Sequence, residues 1–179
     1  MKKIGWAGMA AVLMLVLGLH AQAQKKPRKG SAKSNAASKV TVPPLDVRVA
    51  REKVSNQLAN VNRFVDLLGP IAQQIEDADA AGGLSGAAAE RNDANKQKVI
   101  GAIRNLRAGL TDLESDFRVK PDLQKYRASI EGLTDLAAQA EDSAIAGHFV
   151  AAKEPLRTAA QKLTDTLKVL PVGPAGTPY

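Results

Sequence analysis

Apolar residues recur every seven positions in four stretches of this chain. In the first, Val47, Val54, Val61, Leu68 and Ile75 keep that interval, and Leu58, Val65 and Ala72 fill places four positions further on. Residues four and seven apart share one side of a 3.6-residue turn, so these side chains form a single stripe and predict a helix. The second stretch sets Val99, Leu106 and Leu113 against Ile103, Leu110 and Phe117. The third sets Val119, Tyr126, Leu133 and Ala140 against Leu123, Ile130, Ala137 and Ala144. The fourth sets Phe149, Leu156, Leu163 and Leu170 against Ala152 and Ala159. No alternating strand pattern of useful length and no Asn-Gly or Asp-Gly hairpin signal accompanies them, so the fold class expected is all-α.

The residues between the stripes are those that end helices. Gly82-Gly83-Leu84-Ser85 separates the first two, with Ser85 placed to cap the second. Pro121 suits the first turn of a third helix, and Gly147 suits the left-handed position that ends it. Connections this short place neighbouring helices antiparallel, giving an up-down-up-down four-helix bundle over residues 45–170, a monomer or weak dimer. Pro70 removes a donor and crowds the Asp66 carbonyl, which predicts a kink in the first helix. Pro155 predicts the same near the start of the fourth, or marks where its regular part begins.

The ends of the chain read differently. Residues 1–23 have Lys2 and Lys3, an apolar run from Ile4 to Leu19, and Ala21-Gln22-Ala23 as a small-x-small cleavage site, which reads as a secretory signal for a periplasmic or secreted bacterial envelope protein. Its apolar run is shorter than the roughly 20 residues a spanning helix needs. Gln24 to Pro44 mixes Lys, Ser, Asn, Ala and Pro with few bulky apolar residues and should be a disordered tail. Pro171 to Tyr179, rich in Pro and Gly, should be irregular as well.

Charge follows the same division. The 179-residue chain carries a net charge of +7, yet residues 24–44 hold Lys25, Lys26, Arg28, Lys29, Lys33 and Lys39 with no acid, while 17 basic and 18 acidic residues lie from Leu45 onward. The basicity therefore belongs to the leader and the tail, and a basic groove on the fold is not indicated. Six cations near an anionic membrane surface or cell-envelope polymer gain from screening and counterion release. The tail has no aromatic residue to stack on bases, so no nucleic-acid partner is expected.

Chemistry is limited by what is missing. Cleavage after Ala23 would remove all three Met, the only Trp and His20, leaving no Cys and the single His148. This rules out disulfides, thiolate nucleophiles, cysteine-zinc sites and iron–sulfur clusters within one chain. Asp77-Ala78-Asp79-Ala80-Ala81-Gly82 begins like a calcium loop, but Ala81 and Ala88 stand where ligands are required. His148, with Glu141 and Asp142 upstream, lacks a spaced partner and reads as a solvent-facing turn residue. Ser129 and Ser143 lack a G-x-S-x-G setting, and Asp112 and Asp116 read as an exposed helix face.

From Leu133 through A-A-Q-A-E-D-S-A-I-A-G-H-F-V-A-A-K-E-P-L-R-T-A-A-Q-K-L, the chain resembles the last helix pair of the cytochrome c-prime and soluble periplasmic b-type cytochrome families. The resemblance implies a four-helix architecture without haem. Lys162-Leu163-Thr164-Asp165-Thr166-Leu167-Lys168 stands where c-prime members carry C-x-x-C-H. The first helix has no Met, and His148 lies at the wrong end of the fourth. No cofactor, metal or catalytic residue is expected. The functional expectation is a non-enzymatic, envelope-associated or binding bundle whose tail docks on an anionic surface. The alternative is a carrier holding a small apolar ligand or cofactor between helices rich in Ala and bent at Pro70 and Pro155.

Overall fold

The computed structural model describes residues 42–82 and 84–172. Among these the chain is all helical: α1 (Leu45–Ala80), α2 (Gly86–Val119), α3 (Pro121–Gln124), α4 (Arg127–Ile130), α5 (Leu133–Ile145) and α6 (Lys153–Val169). The first stripe lies where its spacing predicts. Val47, Val54, Val61, Leu68, Ala72 and Ile75 are all at most 1% exposed, and Leu58 and Val65 pack against them. Ile103, Leu110, Leu113 and Phe117 of α2 and Leu156, Ala159 and Leu163 of α6 complete the same core. Removing side chains of this size from water contributes roughly 1.5–3 kcal/mol each.

Each long helix packs on two others: α1 on α2 and α6, and α5 on α2 and α6. The polar contacts between partners come in reverse order along the two helices of each pair. On α1 and α2, Lys53 meets Asp116 while Asp79 meets Asn92 and Lys96. On α1 and α6, Arg51 reaches the Leu167 and Leu170 carbonyls while Glu76 reaches the Val150 amide just before α6. On α2 and α5, Arg104 and Arg107 meet Glu141 while Glu114 meets Thr134.

The third stretch departs from a single helix. The chain breaks at Tyr126 (φ −102°, ψ 0°) and again at Glu131–Gly132, where Gly132 has φ +92°, a conformation that a side chain would strain. Leu123, Ile130, Leu133, Ala137, Ala140 and Ala144 are nevertheless all buried. Val119, counted in that stripe, is instead the last residue of α2 and is 64% exposed, because Lys120 precedes Pro121 and is held extended (ψ 121°). Pro121 does open α3, and Gly147 has φ +85° just after α5. The fourth helix begins at Lys153, so Phe149 and Ala152 enter the core from turns. Pro155 sits in the first turn of α6, where its missing N–H is not needed. Around Pro70, α1 runs on uninterrupted. Ser85 occupies the N-cap position of α2, but its hydroxyl makes no cap hydrogen bond.

Candidate functional site

None of the six helices has an N-cap side-chain hydrogen bond of its own. Several ends are closed from a neighbouring helix instead, and one of the two buried carboxylates, Glu114, serves this purpose. Glu114 of α2 is 8% exposed and accepts from the Gly132 amide (2.9 Å), the Thr134 amide (3.1 Å) and the Thr134 hydroxyl (2.7 Å). A carboxylate there meets the free N–H groups and the positive end of the α5 dipole. Burial pushes the Glu114 carboxyl up, but these donors together with Arg118 outweigh it and hold it below the ordinary 4.5.

Two further contacts, at Glu76 and Arg51, follow the same logic, and two more, at Asp79 and Glu141, pair side chains between helices. Glu76 accepts the Val150 amide at 2.7 Å in the turn leading to α6. The Arg51 guanidinium donates to the Leu167 and Leu170 carbonyls at 2.6 and 2.7 Å, placing a cation at the negative end of α6. Asp79, at the end of α1, accepts from Asn92 and pairs with Lys96 at 2.7 Å, and the Asp79 contact in turn raises the Lys96 pKa. Glu141, 7% exposed, is held by Arg104 (2.6 Å) and Arg107 (3.0 Å), which keep its carboxyl below the usual range.

These contacts decide the fate of the residues singled out in the sequence. Asp79 is committed to Asn92 and Lys96, and Asp77 accepts from Gln73 one turn away. Asp112 is exposed, but Asp116 is not. It is half-buried between Lys53 and Lys120, and although burial pushes its carboxyl up, those two cations bring it below 3.8. Ser129 and Ser143 donate to the Tyr126 and Gln139 carbonyls of their own segments. His148 is exposed in the turn after α5. Among the described residues, no group of three or more His, Cys, Asp or Glu is placed to hold a metal ion. Lys25, Lys26, Arg28, Lys29, Lys33 and Lys39 lie outside the described residues.

The alanines of α5 and α6 do not open a chamber where they are buried. Ala137, Ala140 and Ala159 are fully covered and belong to the continuous core. A groove of about 320 Å³ does run along the outside of the α1–α2 seam, lined by the apolar Phe64, Leu67, Ala102 and Leu106 together with the polar Gln57 and Arg63. Its signal in the sequence was the pair Phe64 and Leu67, which falls outside the seven-residue stripe.

Comparison of the chain with protein-family models, with curated proteins and with solved structures finds no match. Among the described residues the fold therefore defines a class, an all-helical protein whose two buried carboxylates join α2 to α5, Glu114 at a helix start and Glu141 through paired arginines. No helix among the described residues is long and apolar enough to cross a membrane.

Proposed function

We propose that the chain is an exported, non-catalytic, up-down-up-down four-helix bundle, a monomer or weak dimer, attached to an anionic membrane surface or envelope polymer by its basic segment. The observation that carries this reading is the segregation of charge, with six cations and no acid in residues 24–44 against 17 basic and 18 acidic residues from Leu45 onward. At about 1 kcal/mol per cation near an anionic bilayer, six provide attachment that salt weakens. The reverse order of contacts along α1–α2, α1–α6 and α2–α5 supports the antiparallel topology. The engagement of Glu114, Glu141, Asp116 and Arg51 in holding helices together supports a structural role for the body's charges.

The test is co-sedimentation with phosphatidylglycerol-containing and pure phosphatidylcholine vesicles at low and high salt. It is run on the chain and on a variant with Lys25, Lys26, Arg28, Lys29, Lys33 and Lys39 all changed to Gln. The expected result is pelleting of the unaltered chain with anionic vesicles only, reversed by salt and lost in the variant. Equal pelleting of the two proteins overturns the reading.

A further inference from the structure

Exposed apolar side chains gather at one pole of the helical body. Nine large apolar side chains are exposed among the described residues. Five of them, Val42, Leu45, Val119, Val169 and Val172, each at least half exposed, belong to the start of α1, the end of α2 and the end of α6, while Leu67 and Ile145, also more than half exposed, stand apart in the middle of α1 and at the end of α5. Those three termini meet. Arg51, two turns into α1, holds the Leu167 and Leu170 carbonyls, and Lys53 pairs with Asp116, less than one turn before Val119. Single exposed apolar residues are ordinary on a protein surface, whereas several at one pole form a patch that calls for a partner.

The second observation is where the charge joins. Along the sequence the basic segment leads directly to Val42, one of the patch residues. Within four residues of Leu45, Val119, Val169 and Val172, Arg48, Arg118, Lys120 and Lys168 are matched by Asp46, Asp116, Asp122 and Asp165, so the charge beside the patch is balanced. Attraction must then come from the segment, while the pole adds apolar area.

We infer that this pole is the face that meets lipid: Val42, Leu45, Val119, Val169 and Val172 enter the interface of an anionic bilayer end-on, with the helices standing away from it. The inference rests on the docking reading above and adds an orientation and a choice of surface. Apolar side chains gain only where hydrocarbon is within reach, which a bilayer offers and a soluble polyanion does not.

The chain contains no cysteine, so single labels can be placed without background. Leu45→Cys, Val119→Cys, Val169→Cys and, toward the α1–α2 connection, Leu84→Cys are each labelled with a fluorophore. They are mixed with phosphatidylglycerol–phosphatidylcholine vesicles carrying nitroxide on the upper acyl chain, and pelleting is measured on the same samples. The expected result is quenching at 45, 119 and 169 but not at 84. Pelleting with no more quenching at the three sites than at 84 overturns the end-on face and leaves the docking reading standing; absence of pelleting overturns both. Independently, the pair Val119→Ser and Val169→Ser should weaken partitioning to anionic vesicles about tenfold at unchanged salt dependence. Unchanged partitioning overturns the inference.

Discussion

Between Leu45 and Ala80 the backbone makes about ten turns without a break, whereas between Pro121 and Ile145 it stops twice, although both regions carry the same seven-residue apolar repeat. Each contains an element hostile to a helix. In α1 it is Pro70, which leaves the Asp66 carbonyl without its usual donor; Asp66 is exposed, so water can take that place. In the second region it is Gly132, and there a competitor is present. Glu114 takes the amides of Gly132 and Thr134, which a continuous helix would have pointed at carbonyls four residues back. Periodicity thus reports which face is buried. Whether the helix continues depends on what else can bind its backbone.

The α1 side of this contrast is broken most severely by removing the stripe itself. Leu68 is 1% exposed and its neighbour Leu67 is 52% exposed. Leu68→Ala should cost about 3 kcal/mol in urea unfolding, and Leu67→Ala less than about 0.5 kcal/mol. Similar losses at the two positions would show that the face has been assigned wrongly.

Next in size is the competitor. Glu114→Ala leaves the Gly132 and Thr134 amides without a partner and should cost about 2 kcal/mol, with Glu114→Gln recovering part of it because one acceptor oxygen remains. Faster hydrogen exchange at those two amides, with α1 unchanged, is the local signature. Acid should act on the same place. The folded pKa of Glu114 lies below the ordinary 4.5, and Glu141 is lowered too, so their contribution is complete above that value and is lost as pH falls through the folded pKa. Amide protection in 132–145 should therefore fail at a higher pH than protection in the middle of α1. Simultaneous loss would mean that these carboxylates do not set the acid limit of the segment.

Gly132→Ala comes third, at about 1–2 kcal/mol, because at φ +92° the cost is one of backbone conformation, with nothing within 4 Å of an added Cβ. An unaffected midpoint would show that the segment can become helical through residue 132, and that Glu114 is dispensable to the break.

Much of this was legible in the order of residues, and the exceptions have a common cause. The buried faces of α1 and α6, the start at Pro121 and the turn at Gly147 depend on near neighbours, which a linear reading sees. The break at Gly132 depends on Glu114, eighteen residues earlier, and the burial of Asp116 depends on Lys53 from another helix. Phe149 kept the spacing of a helix while lying in a turn, because the core needs its ring whatever the backbone does there. The cross-helix caps at Arg51 and Glu76 had no local signal at all, since a cap from another helix follows no fixed spacing. The basic residues that carry the proposed docking are the opposite case: their composition alone marks them, and they lie outside the described residues.

The smallest expected effect separates two glycines that look alike in the sequence. Gly101 and Gly109 both lie inside α2, where alanine is the better helix former by about 0.8–1 kcal/mol. At Gly101 an added Cβ meets nothing within 4 Å, so Gly101→Ala should stabilise by about that amount. At Gly109 it would come within 2.6 Å of the Gln57 side-chain nitrogen across the α1–α2 seam, so Gln57 must give way and most of the gain should disappear. The difference between the two urea midpoints measures how tightly the seam is closed at Gln57. Equal gains would mean that Gln57 moves aside freely, and that this stretch of the α1–α2 interface is held by the stripe and the Lys53–Asp116 pair rather than by close approach at the glycine.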